Sequence, residues 1–66
     1  MNLFKCNDGM LINPKLVTHC YYIQEMEKYI VRFRFTSEWC DIELNTKNQA
    51  IRLMIDFEKH CRTEKL

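Results

Sequence analysis

The chain has 66 residues, ten basic and nine acidic, for a net charge of +1; 47% are hydrophobic, 12% aromatic, and there is one glycine and one proline. That length allows one domain, in which only about 60% of the unfolded surface can be buried and help from a partner subunit is common. The apolar content excludes a disordered chain, the charge balance lacks the basic excess of a phosphate-contacting protein, and no run approaches the roughly 18 apolar residues that span a bilayer.

Met1 to Lys5 lacks the apolar run and cleavage site of a secretory signal. The expected location is therefore the cytoplasm, where cysteines stay reduced. Met1 to Cys6 reads as a short strand, Asn7-Asp8-Gly9 as a tight turn and Met10 to Ile12 as the return strand. Pro14 fixes φ and lacks a donor, so Asn13-Pro14-Lys15 ends that strand. Leu16 to Ile23 is rich in Val, Thr, Tyr and Ile, which suit a pleated surface. Gln24 to Lys28 is polar apart from Met26 and is expected to be the connection to a strand over Tyr29 to Phe35.

Val31 to Leu44 alternates with period two on both sides of a polar break, which predicts a hairpin with one apolar and one charged face. A two-residue loop at Ser37-Glu38 sets Thr36 against Trp39, Phe35 against Cys40, Arg34 against Asp41, Phe33 against Ile42, Arg32 against Glu43 and Val31 against Leu44. Each arginine then meets a carboxylate. Ser-Glu is not the Asn-Gly type favoured in such loops, and another loop of the same parity keeps the same faces.

Thr46 and Gln49 form a capping box. Ala50, Leu53, Met54, Phe57 and Cys61 follow as one helical stripe, widened by Ile51 and Ile55. Lys47, Arg52, Asp56 and Lys59 fall on the wet side, and the helix is expected to fray over Arg62 to Leu66. The predicted fold is a small soluble α+β domain, an antiparallel meander of four to five strands with one C-terminal helix packed on one face. That helix would cover Val31, Phe33, Phe35, Cys40, Ile42 and Leu44.

The cysteines and histidines are Cys6, His19, Cys20, Cys40, His60 and Cys61. No C-x2-C or H-x3-H spacing is present, and neighbours on a strand point to opposite faces, so no metal site is expected. His60 and Cys61 diverge by about 100° on a helix and make no nucleophile–base dyad. With Gly9 as the one glycine there is no phosphate-cradling loop. Neither catalysis nor a cofactor is expected.

Interaction chemistry is better represented. Ile30, Arg32, Arg34, Thr36, Trp39, Asp41 and Glu43 fall on the outward hairpin face, joined by Tyr21 or Tyr22 according to the register of the preceding strand. Aromatic and Arg side chains dominate interfaces, and a single helix leaves one sheet face open. The expectation is a non-enzymatic protein-binding module, a regulator or inhibitor of a host protein complex, acting as a homodimer. The apolar arc of the helix is a second candidate surface for dimerisation. The alternative is a single-strand nucleic acid binder using Tyr21, Tyr22, Trp39, Arg32 and Arg34. Arg32-Phe33-Arg34-Phe35 looks like an RNA-binding sheet, but the phenylalanines share the core face and cannot stack on bases.

The element order, with Leu11-Ile12-Asn13-Pro14-Lys15 after a short hairpin, then a meander and a final helix, resembles that of small flagellar FlbD/SwrD-type proteins. Ser37-Glu38, Trp39 and the cysteines depart from that pattern, and the resemblance carries no functional residue over. A short chain rich in Asn, Lys and Ile also looks like phage or mobile-element products, many of which bind one host protein.

Overall fold

The computed structural model describes residues 3–6 and 8–64. Strands β1 (Phe4–Lys5) and β2 (Leu11–Ile12) make a two-stranded antiparallel sheet. Strands β3 (His19–Glu25), β4 (Lys28–Arg34) and β5 (Trp39–Leu44) form a second antiparallel sheet in the order β3-β4-β5. Helix α1 (Lys47–Glu64) packs across the second sheet. This is the expected α+β meander with one C-terminal helix, except that the meander divides into two sheets. No described helix is long and apolar enough to cross a membrane.

The β1–β2 turn forms where Asp and Gly predict it. Gly9, at φ 90°, donates its N–H to the Cys6 carbonyl at 2.9 Å, and Asp8 Oδ1 accepts the Met10 N–H at 3.0 Å. Met1, Asn2 and Asn7, part of the predicted strand and turn, lie outside the described residues. After β2, Asn13 Oδ1 accepts the Lys15 N–H at 3.1 Å and caps a single 3-10 turn, Pro14–Leu16.

The predicted strand over Leu16 to Ile23 therefore starts later and runs further. Pro14 holds the segment before it in a turn, and β3 opens only at His19, where the Thr18 N–H and hydroxyl both donate to the Arg34 carbonyl at 2.7 and 3.1 Å. The connection expected over Gln24 to Lys28 shrinks to Met26-Glu27, because Glu25 already pairs with Lys28. Met26 takes φ 56°, a left-handed conformation disfavoured for a side chain with a Cβ, and its own side chain is almost wholly exposed.

The β4–β5 hairpin keeps its predicted faces but shifts register by two residues. Arg34 opposes Trp39, Phe33 opposes Cys40, Arg32 opposes Asp41 and Val31 opposes Ile42. The Phe35 N–H donates to the Glu38 carbonyl at 2.8 Å, leaving Thr36-Ser37 at the tip in place of Ser37-Glu38. Polar Thr, Ser and Glu encode no choice between those two tips, so the pairing that best fills the core decides it.

At the helix start the Gln49 N–H donates to Thr46 Oγ1 at 3.2 Å, while Gln49 Oε1 accepts from Asn45 N–H at 3.1 Å. The capping box thus closes one residue further back than its standard form. The helix continues through Glu64 rather than fraying from Arg62, with Arg62 paired to Glu58 one turn earlier; Lys65 and Leu66 lie outside the described residues.

The core joins all three layers. Phe4, Cys6 and Ile12 from the small hairpin, Val31, Phe33 and Ile42 from the sheet, and Ala50, Leu53 and Phe57 from the helix are buried. Phe35, Cys40 and Leu44, expected beneath the helix, lie at its margin and are half-buried. Phe57 packs edge-on against Phe33 at 4.9 Å between ring centroids and against Phe4 at 5.1 Å.

Phe33→Ala is expected to cost about 3–5 kcal/mol, comparable with the roughly 3–10 kcal/mol available to a chain of this size. Urea unfolding should then lose its cooperative transition, whereas Phe33→Leu should keep it. Met26→Gly relieves the strained turn and should raise the urea midpoint by an equivalent of about 0.5–1 kcal/mol.

Candidate functional site

The candidate site is the sheet face opposite the helix. Strand alternation sends Val31 and Phe33 into the core and Ile30, Arg32 and Arg34 to the other side. The registers then build three rungs across that face: His19–Arg34–Trp39, Tyr21–Arg32–Asp41 and Ile23–Ile30–Glu43. Tyr21 is therefore the tyrosine of the open face. Tyr22, counted with it as a binding residue, lies on the helix side, where its ring sits 6.2 Å from that of Tyr29.

Trp39 is 57% exposed, yet two cations lie close to its ring. The Arg32 guanidinium carbon lies 5.4 Å from the ring centroid and that of Arg34 5.8 Å, both within cation–π range. Arg32 is itself held in a fork: Nε donates to Asp41 Oδ1 at 2.8 Å and Nη2 to Oδ2 at 3.0 Å. Bidentate geometry and partial shielding make this the firmest ion pair on the surface. The Asp41 carboxylate above all, with the Tyr21 hydroxyl, raises the Arg32 pKa, so its charge is permanent.

Arg34, predicted opposite Asp41, has no carboxylate partner among the described residues, because the register shift gives Asp41 to Arg32. Its guanidinium, aided by that of Arg32, favours the ionised phenol of Tyr21 and lowers the Tyr21 pKa below its ordinary value. Thr18, His19, Tyr21, Arg34, Phe35 and Thr36 line an open hollow of about 500 Å³ beside it. Further along the strands Lys28 Nζ meets Glu43 Oε1 at 2.7 Å, so Glu43 pairs with Lys28 rather than with Arg32. Ile30 and Glu43 border a second hollow with Glu25, Met26, Glu27 and Lys28.

The structure thus brings Trp39, Arg32, Arg34, Tyr21 and Asp41 into one patch, sets Ile30 and Glu43 next to it, and places Tyr22 on the opposite side of the sheet. Thr36, expected on this face, sits at the hairpin tip. His19 and Ile23 belong to the face and were not singled out; once Tyr21 is known to face outward, their odd spacing places them there. The face carries Lys28, Arg32 and Arg34 against Glu25, Asp41 and Glu43, so its charges balance overall while Arg34 leaves a local positive end at Trp39.

The thiols lie elsewhere. Burial raises Cys6 and Cys20 from 9.0 to about 11 and shifts Cys40 in the same direction, so all three are protonated at neutral pH. Among the described residues no group of three or more His, Cys, Asp or Glu side chains is placed to hold a metal ion.

Tyrosine absorbance should show one phenol ionising below the ordinary range, absent in Tyr21→Phe and moved part of the way back by Arg34→Gln, since Arg32 still acts on it. A phenol lowered in the folded state binds fewer protons there than in the unfolded chain. The Tyr21 contribution to stability should therefore grow as pH rises towards 10 and fade as pH falls through the folded value; urea midpoints of wild type and Tyr21→Phe compared across that range isolate it. Comparison with protein families, with curated proteins and with solved structures returned no significant match, so the patch is read from its own chemistry.

Proposed function

We propose that the chain is a small non-enzymatic binding module that engages a protein partner through the open face centred on Trp39. The observation that carries this reading is an exposed Trp with two guanidiniums within cation–π range, on a sheet face that no other described element covers. Trp, Tyr and Arg are the residues that concentrate binding energy, and they do so best when already rigid. The uncompensated charge of Arg34 suits a partner that sets a carboxylate next to an apolar anchor. A regulator or inhibitor of a host complex, of the phage or mobile-element kind, fits a small domain that presents one such face.

The charge balance separates this from single-strand nucleic acid binding. A groove that tracks phosphates needs a run of unpaired cations, whereas Arg32 and Lys28 are both tied to carboxylates.

Affinity capture from the native host with tagged protein should retain one protein partner. Trp39→Ala should remove it, weakening binding by roughly 2 kcal/mol or more, which is about thirty-fold, with the circular dichroism spectrum unchanged. Salt-sensitive binding to oligonucleotides lost on the same change, with no protein retained, would replace this reading by the nucleic acid one.

A further inference from the structure

We propose that β3 pairs with β3 of a second copy of the chain, antiparallel about a two-fold axis at Tyr22, joining the two three-stranded sheets into one. The surface involved is the sheet edge, and the inference does not depend on the open-face reading.

Sheet order leaves β3 with one free flank. The Phe35–Glu38 bond fixes which residues use it. It makes the odd-numbered residues of β4 the ones that exchange backbone hydrogen bonds with β5, so the even-numbered ones bond to β3. Across that pairing, His19, Tyr21, Ile23 and Glu25 bond inward. The N–H and C=O groups of Cys20, Tyr22 and Gln24 point away from the sheet, without a partner among the described residues.

Edges of this kind are normally blunted by proline, a bulge, inward charge or a covering element. β3 pairs without interruption over seven residues and contains no Pro, Lys or Arg. The β1–β2 hairpin does not shield it: Phe4 packs on Phe33 and Phe57, and Met10 reaches Cys40 on the β5 side.

The β5 edge differs. Two-fold pairing of β5 would bring Asp41 and Glu43 against the same acids of the second copy, which is repulsive.

The β3 sequence is complementary to itself in this register. About Tyr22, His19 meets Glu25 of the second copy and Tyr21 meets Ile23 on the open face. Cys20 meets Gln24 and Tyr22 meets its own counterpart on the helix side. Each outward N–H then finds a carbonyl, and no like charges oppose each other. Apolar surface also gathers on this flank. Tyr22 is 37% and Ile55 42% exposed, and Ile55 lines the same hollow as Cys20, between helix and edge. Pairing would bury both while keeping both helices on one side of the joined sheet.

Sedimentation velocity from about ten to several hundred micromolar, with hydrogen exchange at the upper concentration, tests this. The expected mass is twice that of the 8.1 kDa chain, with slow exchange at the amides of Cys20, Tyr22 and Gln24. His19→Glu places carboxylates opposite one another at both ends of the pairing and should weaken the dimer on the order of ten-fold. Adding Glu25→Lys should restore it. Both residues are exposed, and Trp39 emission reports that the monomer stays folded. A monomer mass throughout, or a dimer whose three amides exchange as freely as in the monomer, would overturn the proposal. Trp39→Ala should leave the mass doubled, so failure of the edge and failure of the open face are told apart.

Discussion

The packing of Phe57 on Phe33 and Phe4 is the constraint on which the other features rest. One helical ring bridges the middle strand of the large sheet and the first strand of the small hairpin. Neither sheet could bury its apolar face alone: two strands of two residues are too short, and three strands need a cover. The helix supplies that cover on one side only. One helix and one small hairpin both pack on the same face, and among the described residues the other face stays open.

The central strand transmits that constraint to the candidate site. Val31 and Phe33 are fully buried, and fixing them fixes Arg32 and Arg34 between and beyond them, pointing the opposite way. Choosing Val31 to face Ile42, and not Leu44, then decides which acid each arginine meets. Arg32 is neutralised by Asp41 and Arg34 is left beside Trp39 and Tyr21. The charge distribution of the outer face is thus set from inside, by which apolar side chains fill the core best.

Much of this was legible in the residues. The period-two alternation of Val31 to Leu44 gave the two faces, the Thr46–Gln49 box gave the helix start, and Asp8-Gly9 gave the first turn. What was not legible has physical causes. Thr36, Ser37 and Glu38 have similar turn preferences, so parity was readable and the exact partner was not. Tyr21 and Tyr22 are equivalent until Cys20 is seen facing Phe33. The share of Phe4, Cys6 and Ile12 in the core depends on a contact between segments more than twenty residues apart, which no local pattern encodes. Met26 at positive φ breaks the residue preference of its turn, and only the pairing of Glu25 with Lys28 forces it there.

The way Trp39 is held bears on how quickly and how selectively it can be used. A free indole on a surface samples several rotamers, and any recognition event must halt that motion. Here the fork of hydrogen bonds from Arg32 to Asp41 holds one guanidinium over the ring, which favours one of those rotamers. Part of the entropic penalty of ordering is therefore met before any encounter. Contacts made by the ring are correspondingly less forgiving, since a rigid anchor rejects surfaces that do not match its shape and orientation.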